Sequence, residues 1–174
     1  SGSMAWHDKR KTSWRAPSPP GAKPRIVGAK AEINKFNSYL QETIEKKTGK
    51  DSKKFLRMGM TAYSNGILNY RTVNPRWGTI PTRSINNMRA SGGTYPDSAV
   101  RTVENWMKKE DNEHKKVNGS KAPLKYVIFM TDGVNSSSYT ERATLQSCSR
   151  MKSQGIEVYT IGFALEPGYY RAYY

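Results

Sequence analysis

Cysteine, histidine and long apolar runs are all scarce in this 174-residue chain, and each shortage closes off a class of function. One cysteine, Cys148, excludes an internal disulfide and any multi-cysteine zinc site. His7 and His114 are the only histidines, so a His-rich catalytic metal centre is not expected. No apolar run approaches the ~18–20 residues of a membrane span, and no signal peptide opens the sequence. There is no G-x-S-x-G elbow, P-loop, G-x-G-x-x-G turn or H-E-x-x-H pair, and the expectation is a protein that is not an enzyme. Acid is also in short supply: 14 Asp plus Glu stand against 29 Lys plus Arg, a formal net charge of +15.

What is present is unevenly placed. Residues 1–123 hold 24 basic and 10 acidic side chains, and residues 124–174 hold 5 and 4. The charge therefore sits in the first two thirds, while the last third is apolar enough to be core. The length suits one domain with a sizeable core and is too short for two ordinary ones.

Residues 1–24 contain a basic cluster, Lys9, Arg10 and Lys11, and the run Ala16-Pro17-Ser18-Pro19-Pro20-Gly21, which reads as exposed loop. Ile26, Ile33, Phe36, Leu40 and Ile44 recur at helical spacing, predicting an amphipathic helix over roughly 25–47 between Pro24 and Gly49. Phe55 to Tyr63 and Ile67 to Val73 read as two strands of a hairpin turning at Ser64-Asn65-Gly66. Asn74 to Gly78 reads as loop and Thr82 to Arg89 as a short helix. After Ser91-Gly92-Gly93-Thr94, a second long helix is predicted from about Pro96 to Glu113, with Ala99, Val100, Val103, Trp106 and Met107 on one face. Leu124 to Met130 is a nearly continuous apolar run, as in a parallel strand covered on both faces. A helix to about Gln154 follows, opened by a capping box of Ser138 and Glu141. Ile156 to Phe163 reads as another buried strand. This order implies an α/β protein with a doubly wound, mostly parallel sheet and helices on both faces.

In such sheets ligands bind at the carboxyl ends of the strands. Asp132 follows the 124–130 strand, Thr94 lies in a glycine-rich break, and Ser1 and Ser3 precede the first long helix. Three hydroxyls and one carboxylate form a hard-oxygen set that suits Mg²⁺ or Mn²⁺ rather than zinc. The segments Ser1-Gly2-Ser3-Met4, Gly92-Gly93-Thr94 and Thr131-Asp132-Gly133 resemble the metal-ion-dependent adhesion site of von Willebrand factor A (VWA) domains, written D-x-S-x-S, then Thr, then Asp. Tyr126 to Gly133, and Gly155 to Gly162, resemble the family's strands, and the likeness covers about 25–163. The resemblance implies Ser1 and Ser3 as direct ligands, and Thr94 as a direct or water-mediated one. It gives Asp132 the role of holding coordinated water, and leaves one position open for a partner's carboxylate.

The first Asp of the pattern and the central strand before it would precede Ser1. The chain is therefore read as a segment of a longer polypeptide. The alternative, Ser1–Met4 as a cloning remnant, leaves only Thr94 and Asp132 of the site. Within the family the sequence is most similar to envelope proteins of tight-adherence (Tad/Flp) pilus loci, the TadG-like proteins. The supporting residues are Ser1–Met4, Cys148 to Ile156 and Tyr159 to Phe163. That implies a bacterial envelope location, periplasmic or surface-exposed, with membrane contact only through parts outside this sequence. It also implies a downstream mate for Cys148, which otherwise reads as a small buried hydrophobe.

Plainer readings stand beside these. Asp132 fits a turn, and Thr94 with Asp97 fits helix-start chemistry. His7 and His114 read as solvated. Asn118-Gly-Ser and Asn135-Ser-Ser match a glycosylation pattern that short sequences meet by chance. Lys9, Arg10 and Trp14 would draw in an acidic partner. Together with Trp6 and Trp77 they also suit the alternative function, a basic nucleic-acid-binding domain with no metal dependence. The aromatic end, 164–174, carries no interpretable pattern.

Overall fold

The computed structural model describes residues 24–49, 55–119, 122–131 and 135–162. Helix α1 spans Arg25–Thr48. It starts at Pro24, whose carbonyl accepts from Val27 N at 2.9 Å, and stops at Gly49, which takes the left-handed conformation (φ 57°). Only glycine adopts that conformation without a Cβ penalty. On the side facing the rest of the domain, Asn37 Nδ2 donates to Ile80 O (2.8 Å) and Asn34 Nδ2 to Asn86 Oδ1 (3.0 Å). These bonds lay α1 along α2, the single-turn helix Thr82–Asn86, with Ala29, Ile80 and Ile85 buried.

The expected hairpin is rearranged. Ser64-Asn65-Gly66 does turn the chain, but the turn supports only an isolated Tyr63–Ile67 bridge. A 3-10 turn at Asn69–Arg71 follows, and the true partner of β1 (Arg57–Met60) is β2 (Val73–Trp77), most of which the sequence suggested was loop. Pro75 obscured it, since proline cannot donate to a ladder. The structure absorbs it with a register shift between Met58 and Met60. Gly59 is the second device: a Cβ there would stand 3.0 Å from the Pro75 ring.

Helix α3 (Asp97–Asn118) outruns its predicted end, and α4 covers Ser138–Ser153. The α4 cap is Ser137, whose hydroxyl accepts from Thr140 N, rather than Ser138. Strands β3 (Tyr126–Thr131) and β4 (Glu157–Gly162) pair in parallel with α4 as their crossover. Val100, Val127, Met151 and Ile156 form the core between this pair and α3–α4, with Val103, Met107, Phe129, Cys148 and Val158 packed against it. Among the described residues, helices cover only one face of β3–β4. Tyr126, Ile128, Tyr159 and Ile161 point the other way and are 40–52% exposed, and Leu124 is 82% exposed. The strand period of two explains the split, with Val127 and Phe129 inward and their neighbours outward.

A single doubly wound sheet is likewise not formed by the described residues. They make two two-stranded sheets, β1–β2 and β3–β4. A side chain bridges them: Tyr63 Oη donates to Met130 O at 2.9 Å, and its ring stacks on Phe129 at 5.9 Å. No described helix is long and apolar enough to cross a membrane.

Candidate functional site

Three loops meet beside the carboxyl end of β3, and Thr94 lies at their junction, 6% exposed. Its backbone N–H donates to Ser136 Oγ (2.8 Å), and Ser136 N–H donates back to Thr94 O (2.9 Å). On the other side, Gly93 N–H donates to Asn65 Oδ1 (2.6 Å) and Tyr95 N–H to Ser64 O (2.9 Å). The loop is thus clamped by the 63–67 turn and by the segment leading into α4. The two glycines make the approach possible. A Cβ on Gly92 would meet Asn65 Oδ1 and Ser64 Oγ at 2.9 Å, and one on Gly93 would meet Tyr95 at 2.7 Å and Ser136 Oγ at 3.0 Å. Gly92 also has φ +63°, which disfavours a side chain whatever the space.

Beneath this junction the helix starts are tied together. Ser98 Oγ accepts from Ile67 N–H (2.9 Å), and Thr140 Oγ1 donates to Asp97 Oδ1 (3.2 Å). Asp97 therefore faces α4, and the α3 start has Pro96 at its cap with no side-chain bond, so Thr94 is not the helix cap.

Of the sequence-predicted site residues, the described structure holds Thr94. Ser1, Ser3, Asp132, Lys9, Arg10 and Trp14 lie outside the described residues. Asn65, Ser64 and Ser136 were missed. Their residue types were visible, but Asn65 served as a hairpin turn and Ser136 fell within a glycosylation-like triplet. Among the described residues no three of His, Cys, Asp and Glu gather. The donors around Gly92–Thr94 are neutral hydroxyl and amide oxygens, whose chemistry fits a hard divalent cation and not zinc.

Two further clusters are structural. Glu104 on α3, 3% exposed, takes both Arg150 Nε (2.9 Å) and Nη2 (2.8 Å) from α4, with Lys108 Nζ at 3.1 Å. The Arg150 bonds, partly opposed by burial, hold its carboxyl down at about 2. Six residues further along α3, Arg57 Nε donates to buried Glu110 (2.9 Å) and stacks over Trp77 at 5.1 Å. His114 lies against the same indole at 4.9 Å. His114 is therefore packed rather than solvated, and burial pushes its pKa down. Trp77, engaged by Arg57 and His114, is not an open stacking platform.

The strands, helices and this loop junction define a mixed α/β domain in which the Thr94 loop is hydrogen-bonded between the 63–67 turn and the segment before α4. The family model for the von Willebrand factor type A domain matches residues 29–172, and the chain belongs to that family. Its domains are commonly protein-interaction and adhesion modules on an α/β, Rossmann-like fold. No curated protein and no solved structure matches the chain.

Proposed function

We propose that this VWA domain binds a protein partner through a divalent cation, Mg²⁺ or Mn²⁺, held beside the Thr94 loop. One observation carries the reading. Hydroxyl and amide oxygens from two separate segments, the 63–67 turn and the stretch before α4, converge on the Gly92-Gly93-Thr94 loop, whose two glycines leave no room for a side chain. Ser1, Ser3 and Thr94 would hold the ion, and Asp132 would hold its coordinated water. When bound, the ion supplies an open position for a partner carboxylate, which neutral ligands leave strongly favoured. The chain's own part is to fix the Thr94 backbone between Asn65 and Ser136 and to exclude bulk from Gly92 and Gly93. No turnover is assigned. The likeness to tight-adherence pilus proteins supports a place in a bacterial envelope.

The test is a thermal melt in Mg²⁺ against EDTA, repeated with Thr94→Ala and Asp132→Asn. Binding to the native state raises the midpoint by linkage. A Mg²⁺-dependent rise that both variants lose supports the site. A cooperative wild-type melt indifferent to Mg²⁺ and Mn²⁺ overturns it.

A further inference from the structure

Residues 55–96 contain five arginines and no lysine, aspartate or glutamate. Arg57 is taken up by Glu110. Arg83 and Arg89 flank Asn86, one on α2 and one just beyond it, and both are exposed. Lys30 of α1 reaches the same point, with its Nζ donating to Asn86 O at 2.8 Å. Arg71, at the end of the 3-10 turn, is half-buried, with its guanidinium 5.1 Å from the ring of Tyr70. Burial lowers the Lys30 pKa, and repulsion from Arg89 and Arg71 lowers it further. Among the described residues none of these four cations has an ion pair, and the adjacent acid on α1, Glu32, is paired with Lys35 at 2.8 Å.

Folding has thus gathered like charges without their counter-charge, a cost that an anionic partner relieves. We propose that Lys30, Arg71, Arg83 and Arg89 form a docking surface for an acidic segment of a partner protein, separate from the Thr94 loop and independent of any cation there. Arginine forks fit carboxylates in pairs. Tyr70, the exposed aromatic ring beside them, already carries the Arg71 guanidinium, so the surface lacks the open stacking platform that single-stranded nucleic acid uses.

The test is fluorescence anisotropy in EDTA with a labelled Glu- and Asp-rich peptide, and with a single-stranded oligonucleotide of equal charge. EDTA keeps this surface and the cation site distinguishable. The combined variant Arg71→Gln, Arg83→Gln, Arg89→Gln is compared with a charge-matched control, Lys46→Gln, Lys47→Gln, Lys109→Gln, and circular dichroism checks that both fold. The expected result is peptide affinity falling about tenfold in the arginine variant, the sum of three exposed pairs, and far less in the control. Equal losses in both variants would mean diffuse charge and overturn the proposal. So would an absence of peptide binding, or a tighter, arginine-dependent grip on the oligonucleotide.

Discussion

Arg150→Ala removes the strongest link between α3 and α4, and its cost can be worked from the geometry. Glu104 is buried and its carboxyl is held at about 2 instead of 4.5. At about 1.4 kcal/mol per unit of pKa, this is a folded-state preference of about 3 kcal/mol for the charged form. Arg150 supplies the largest share, but its side chain is half exposed and Lys108 stays in place. Screening and the remaining partner reduce the expected loss to about 1–2 kcal/mol. For a chain of this size that is roughly 3–6 °C in melting midpoint. The pH dependence gives the sharper test. A depressed carboxyl contributes fully above its unfolded value of 4.5, and the contribution is lost as pH falls through about 2. Urea unfolding of wild type and Arg150→Ala, at about pH 7 and again at about pH 3, should show the stability gap narrowing markedly in acid. Equal stability at neutral pH, or a gap that acid leaves unchanged, would refute the reasoning.

Three other outcomes follow from the site and its surroundings. Gly93→Ala drives a methyl against Tyr95 and Ser136 and should cost about 1–3 kcal/mol in thermal unfolding, because backbone clamps both sides of the loop. Ser136→Ala strands the Thr94 N–H and should cost about 1–3 kcal/mol, with amide hydrogen exchange at Thr94 accelerated more than elsewhere. His114 should titrate below 6.5 by NMR, since burial outweighs the pull of Glu110. The stability it contributes is complete above 6.5 and declines as pH falls through the folded midpoint.

The local features were legible because their causes are local. Spacing of apolar residues placed α1 and the α3 face, Pro24 and Gly49 marked the ends of α1, and Gly155 the end of α4. Thr94 was picked out by its glycine-rich break. Pro75 hid β2 because its compensation, Gly59 and the bulge beside it, lies on another strand. The burial of Glu104 and Glu110 left no mark in the sequence, since their arginine partners sit on other elements.

Sequence alone determined the helices and the β3–α4–β4 order, because these rest on periodicity and short-range order; the family followed from motif segments and the match over residues 29–172. Tertiary structure alone decided which groups surround Thr94. Asn65 is 28 residues from Gly93, and Ser136 is 42 from Thr94. It also decided which side of β3 is covered: a run apolar at nearly every position is silent about faces, and only the seating of α3 and α4 assigns Val127 to the core and Ile128 to the surface. Contacts across such separations depend on how whole elements pack, and no window of neighbouring residues encodes that.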